Sequence, residues 1–313
     1  MKLINIKLTA LLAVISLLTA CGIADTPTIS DSKVNIITTI FPPYDFSREI
    51  AGGYADITML LPPAAESHSF EPTPRDIIKI QNADIFIYVG GESDTWVDGV
   101  LESLNAPNLR VVTLMDCVEV VAEEYSEGME LEEEEEEEAY DEHVWTSPRN
   151  AKLIAEKIAA SVIEADPNNR QVYEANLLRF SAELDNLDER FRQTVANGSR
   201  DEIIFGDRFP FRYFADAYGL TYYAAFPGCS GETEPSASTV AFLIDKIKAD
   251  DIPVVFHIEL GNERMANVIA DATGAKSLTL HSCHNISKTD FQNGKTYLDF
   301  MRENVEALKE ALA

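Results

Sequence analysis

The feature that most restricts how this chain can fold is an alternation of short apolar runs with helical stretches, interrupted once and then resumed. In the first half, residues 34–39, 55–61, 84–89 and 110–114 are short apolar or β-branched runs that read as strands. Pro42-Pro43 opens a helix toward Ile50, and Pro74 starts another through Gln81, with Asp76 in its first turn. From Pro148 the pattern becomes helical, over 148–165 and then 169–196. The second stretch sets Val172, Leu177, Phe180, Leu184, Leu187 and Phe191 on one face of a long amphipathic helix, which Gly198 closes. The alternation then restarts, with strands at 202–205, 221–226, 253–258 and 277–280 and helices near 211–218, 236–249, 261–273 and 297–312. Apolar strands alternating with helices require a parallel sheet covered on both faces. The expected fold is therefore α/β, with two parallel-sheet lobes joined by a single long backbone helix.

In open α/β sheets, ligands sit beyond the carboxyl ends of the strands, so two lobes place the site in the cleft between them. The residues able to carry chemistry follow that rule. His68 comes after the 55–61 strand, Asp207 after 202–205, Cys229 after 221–226 and Glu259 after 253–258. His281 and Cys283 follow 277–280, and His143 precedes the helix that leaves the first lobe. Most candidate ligands thus share one edge.

Charge excludes one class of partner. With 25 Lys and Arg against 53 Asp and Glu, the net charge is −28, which phosphate backbones repel, so nucleic acid is not a ligand. Thirteen of the acidic residues lie between Glu123 and Glu142, seven of them consecutive (Glu132 to Glu138). Like charges at that density do not pack, so 123–142 reads as a solvated loop. It is either a solubilising segment or a weak lure for divalent cations ahead of His143.

The N-terminus carries an address. Lys2 and Lys7 precede an apolar run from Leu8 to Leu18, the length of a signal core and too short to span a bilayer. Leu18-Thr19-Ala20-Cys21 resembles the lipobox of bacterial lipoproteins, which implies a lipid anchor on Cys21 and an extracytoplasmic location. The expected layout is a signal at 1–20, a tether at 21–32, an N-terminal lobe at 33–148, a helical linker at 149–198 and a C-terminal lobe at 199–313.

Several stretches resemble one family, the zinc and manganese solute-binding proteins of ABC transporters (cluster A-I). His68-Ser69-Phe70-Glu71-Pro72-Thr73-Pro74 is similar to its HxxEPTP segment, and His143-Val144-Trp145-Thr146-Ser147-Pro148 to its HVWLSP segment. Phe211-Arg212-Tyr213-Phe214-Ala215 with Tyr218-Gly219-Leu220, and Glu234-Pro235-Ser236, also fit in order. The resemblance implies capture of Zn(II) in the interlobe cleft and delivery to a membrane permease by a lipid-anchored monomer, with Mn(II) a less favoured cargo. It also implies His68 and His143 as the first two ligands. The family's third histidine falls on Arg208, which as a cation cannot ligate, so the neighbouring Asp207 is expected to replace it. The fourth ligand falls on His281. Three imidazoles and one carboxylate form a tetrahedral site suited to zinc. Arg208 then has to turn away or pair with Glu259 or Glu234, and His284 is expected to orient a ligand, with His284 and Glu259 as alternative ligands should Asp207 not bind.

Cys229 and Cys283 are expected to form a disulfide in an oxidising compartment, with thiolate ligation as the rival reading. Cys117 and His257 read as core residues. Three ligands and a water could also support zinc hydrolysis, but the chain lacks HExxH and GxSxG, so no enzyme is expected. A surface adhesin is the remaining alternative.

Overall fold

The computed structural model describes residues 33–65, 70–129, 140–228, 235–261 and 263–313. The signal, the tether with Cys21, His68, Cys229, Glu234 and most of the acidic loop lie outside these residues. Residues Lys33–Ala313 form one compact unit.

Among the described residues, eight strands make two four-stranded sheets with the same topology. In the first, β1 (Val34–Thr38), β2 (Ala55–Met59), β3 (Ile85–Tyr88) and β4 (Arg110–Thr113) lie in the order β2-β1-β3-β4. In the second, β5 (Glu202–Phe209), β6 (Thr221–Pro227), β7 (Val254–His257) and β8 (Lys276–Thr279) lie in the order β6-β5-β7-β8. All pairings between these strands are parallel. Each sheet therefore reverses strand order beside its first strand, between β1 and β3 and between β5 and β7. Crevices for ligands open at such points.

The helices are α1 (Phe41–Ala51), α2 (Pro74–Gln81), α3 (Trp96–Ser103), α4 (Pro148–Ala165), α5 (Arg170–Ala196), α6 (Arg212–Tyr218), α7 (Ala237–Ala249), α8 (Glu263–Thr273), α9 (Lys288–Gln292) and α10 (Tyr297–Ala311). Local sequence explains several of their ends. Thr73 and Asp76 close a capping box with Pro74 at the first helical position of α2, and Thr296 with Asp299 does the same for α10. Among the described residues no helix is long and apolar enough to cross a membrane.

Packing explains the adjacent apolar residues at the centre of the inner strands. Neighbouring residues Ile36 and Ile37 point to opposite faces, yet both are buried, Ile36 in the main core and Ile37 beneath Ile80, Phe86 and Val97. Ile203 and Ile204 divide the same way in the second sheet. The main core runs from α1 of one lobe through the buried face of α5 (Tyr173, Phe180, Leu184, Leu187, Phe191) to Phe205 and Phe256 of the other. Tyr173 takes the buried place expected for Val172, because its hydroxyl reaches Asp166 Oδ2 at 2.6 Å while its ring packs inside. Gly206 lets α8 press on β5, since a Cβ there would lie 2.7 Å from the Ala266 Cα.

One strand is longer than its sequence suggests. β5 continues to Phe209 through a bulge between Phe205 and Arg208, which changes the setting of Asp207.

Candidate metal centre

The loops beyond the carboxyl ends of both sheets enclose a cavity of about 50 Å³. Ala65 and His143 line it from the first lobe. From the second come Arg208 at the end of β5, Gly228 after β6, Ile258 to Gly261 after β7, and Ser282, His284 and Asn285 after β8.

His143 is oriented by its own segment. Its backbone N–H bonds Asp141 Oδ1 at 2.8 Å, and the same oxygen lies 3.3 Å from ring Nδ1. A carboxylate on Nδ1 fixes the proton there and puts the ring's lone pair on Nε2, the tautomer that supports metal-bound imidazoles. Burial opposes charge on this ring, which is 1% exposed, but Asp141, with Glu142 and Glu123 behind it, outweighs burial and raises the pKa. The His143 and His284 rings meet edge to face at 5.1 Å, and Trp145 packs against both. Gly228 matters here because a Cβ would come within 3.3 Å of His143 Cε1 and 3.0 Å of the Phe209 carbonyl.

The His284 loop is held by Glu259. Its carboxylate accepts from Ser282 N at 2.6 Å, Ser282 Oγ at 2.7 Å and His284 N at 3.0 Å. Burial pushes the Glu259 pKa up to about 7, although these donors pull it down. Asn285 clips the same loop to the first lobe through the Pro62 and Ala65 carbonyls, at 3.1 and 2.6 Å.

Two of the expected ligands do not reach this cavity. Asp207 lies inside β5 instead of in a loop after it. Its carboxylate accepts from Arg208 N at 2.8 Å and Ile258 N at 3.3 Å, and it packs against Gly261. It pins the β5 bulge to the turn after β7. The following residue, Arg208, is the one that lines the cavity. His281 is turned the other way, with its ring 4.7 Å from that of Phe300 and its Nε2 3.3 Å from Glu303. Burial lowers its pKa to about 4, with Glu303 opposing. His284, expected to orient a ligand or to serve as an alternative one, lines the cavity that His281 was expected to reach.

The expected Cys229–Cys283 disulfide is not shown. Cys283 carries a free thiol, 1% exposed in the main core, and its backbone is left-handed with φ of 60°. That turn sends Cys283 inward while His284 faces the cavity. Cys229 lies outside the described residues. Cys117 is partly exposed, and its thiol donates to the Thr113 carbonyl at 3.2 Å. His257 is buried, with Nδ1 3.0 Å from the Ile258 carbonyl. Among the described residues no three His, Cys, Asp or Glu side chains gather closely enough to hold a metal ion. His143 and His284 are the pair that the structure brings together. Sequence reasoning missed Asp141, whose signal is a carboxylate two residues before the histidine.

Two sheets of like topology, tied through long helices and closing their loops over a pair of imidazoles, define a two-lobed cleft-binding protein. The family profile of ZnuA, described as zinc-uptake complex component A, periplasmic, matches residues 36–311, and the chain belongs to that family. Its members are solute-binding components of uptake systems, not enzymes. The chain is similar to the high-affinity zinc uptake system protein ZnuA of Bacillus subtilis, 33% identical, over 95% of this chain and 94% of that protein. It is 29% identical to the zinc-binding lipoprotein AdcA of Streptococcus pneumoniae, covering 90% of this chain but 56% of AdcA. The crystal structure of the Zn(II)-bound ZnuA-like domain of that AdcA superposes with a TM-score of 0.75 at 27% identity, over 90% of this chain and 99% of that domain.

Proposed function

We propose that this protein is the extracytoplasmic component of an ABC importer that captures Zn(II) in the interlobe cleft and passes it to a membrane permease. The observation that carries the reading is the convergence of His143 and His284 on one cavity, with Asp141 placed to hold the His143 tautomer. Imidazole nitrogens suit zinc, and manganese would favour more carboxylate. The relatives named for zinc uptake support the same cargo. The proposed ligands are His143, His284 and, from its match to the family segment, His68. Asp207 and His281 are left out because their side chains are engaged elsewhere. The lipobox-like segment supports anchoring through Cys21. Because neutral imidazoles bind and imidazoliums do not, zinc affinity falls as pH drops through the histidine range.

Metal analysis and competition titration of the purified protein test the reading. One tightly bound zinc per chain, with manganese far weaker, is expected. No tight metal, or preference for manganese over zinc, overturns it.

A further inference from the structure

The two lobes touch beside the cavity through a contact that metal ligation does not require. The loop after β2 runs Pro62-Pro63-Ala64-Ala65, and Ala65 N donates back to the Pro62 carbonyl at 3.0 Å. Proline suits the second position of such a turn, but a left-handed third position is usually filled by glycine. Here it is Ala64, with φ of 67°, a conformation that is costly for an L side chain. Backbone of that kind persists only where its surroundings impose it.

The loop after β8 imposes it. Ala64 N donates to the Ile286 carbonyl at 2.9 Å, and Asn285 Nδ2 donates to the Pro62 and Ala65 carbonyls at 3.1 and 2.6 Å. Both ends of the Asn285 amide are engaged, since its Oδ1 accepts from Ile286 N at 2.8 Å, and the residue is 5% exposed. Ile286 is buried in the main core and Glu259 grips Ser282 and His284, so the second-lobe loop is the fixed partner and the 62–65 turn docks on it. Ala65, His284 and Asn285 all line the cavity, so parting the turn from Asn285 opens its wall.

Resting on the zinc-capture reading, we propose that Asn285 is a positioning residue for cargo exchange, a latch that holds the 62–65 turn of the first lobe against the His284 loop of the second and must open before zinc leaves. Three hydrogen bonds within one short buried contact break together, which gives the contact two states, shut and open. Ala64 sets the balance between them from the other side, because its backbone strain is relieved when the turn comes free.

The test joins amide hydrogen exchange of the metal-free protein with the rate of zinc release into excess chelator. Three amides report on the contact. Leu61 N bonds the Thr39 carbonyl within the first lobe at 3.0 Å, Leu280 N bonds the His257 carbonyl within the second at 2.9 Å, and Ala64 N crosses between them. Asn285→Ala removes both cross-lobe side-chain donors. Ala64 then loses about tenfold or more of its protection while Leu61 and Leu280 keep theirs, and zinc release quickens by a similar factor. Ala64→Gly relieves the turn without removing a bonding group, and zinc release slows by about threefold or more. The inference is overturned by unchanged release in Asn285→Ala, by release that does not slow in Ala64→Gly, or by Leu61 and Leu280 losing protection along with Ala64. If the unaltered protein holds no zinc, the capture reading falls instead, and the exchange of the three amides still decides whether Asn285 holds the two loops together.

Discussion

Trp145 and Ser282 meet across the cleft, the indole Nε1 of one donating to the carbonyl of the other at 2.8 Å. His143 lies two residues before the indole and His284 two residues after the serine, so this bond sets the spacing of the two imidazoles. Tyr297 holds the other side of the tryptophan segment, its hydroxyl donating to the Trp145 carbonyl at 2.8 Å, while Asp45 accepts from Tyr297 N at 2.7 Å. The pair is therefore braced from both lobes before any cation arrives.

That geometry separates two histidines only three positions apart. His284→Ala is expected to weaken zinc binding by more than about 100-fold, beyond the 10–100-fold typical of a lost supporting partner. His281→Ala is expected to leave zinc affinity within about threefold, because its ring lies against Phe300 and Glu303. Competition titration of the two variants decides. The reverse ranking would restore His281 as the ligand.

Asp141 acts through His143. Asp141→Asn keeps the shape but replaces an acceptor-only group with an amide that can turn its donor toward Nδ1, favouring the wrong tautomer. Zinc affinity is expected to fall about 10–100-fold with the fold intact. The apparent pKa of His143, followed by NMR in the metal-free protein, is expected to drop as well, since Asp141 is the main group raising it. An unchanged imidazole titration would show that Asp141 does not hold the ring.

Asp207 predicts the opposite pattern. Asp207→Ala strips the partner from two backbone amides, Arg208 N and Ile258 N, at a cost of about 1–3 kcal/mol for each group left buried and unpaired. Denaturant unfolding is expected to show that loss, while zinc affinity stays within about threefold. A variant with normal stability and lost zinc binding would return Asp207 to the ligand set.

The strand and helix alternation made both sheets legible, because strands buried on two faces carry adjacent apolar residues, as Ile36-Ile37 and Ile203-Ile204 show. Capping chemistry located α2 to the residue. α3 was not visible, since Gly99 and its short length weaken the periodic signal. At the site, His143 was legible from its segment, but the identity of its partner was not. In the run His281-Ser282-Cys283-His284, spacing alone does not reveal which side chain faces the cavity. The left-handed turn at Cys283 decides that. Likewise Asp207 and Arg208 exchange roles because the bulge in β5 sets their direction, and a bulge leaves little trace in composition.

The first lobe contains a buried carboxylate whose titration is measurable apart from zinc. Asp94, 7% exposed, has its pKa raised to about 6 chiefly by burial, with the Glu142 charge adding to it and the Val89 and Gly90 amides opposing. Val89 N donates to Asp94 Oδ2 at 2.6 Å. A carboxyl with a raised pKa favours the folded state most below its unfolded value of 3.8, and that advantage is lost as pH climbs through about 6. A shift of this size corresponds to about 3 kcal/mol between the two limits. Asp94→Asn keeps an acceptor for Val89 but never ionises, so its stability relative to the unaltered protein is expected to improve steadily from acidic to neutral pH. Thermal melts of both metal-free proteins across that range measure the gap. A gap that stays constant with pH would mean that Asp94 ionises at its ordinary value, with water reaching it in the fold.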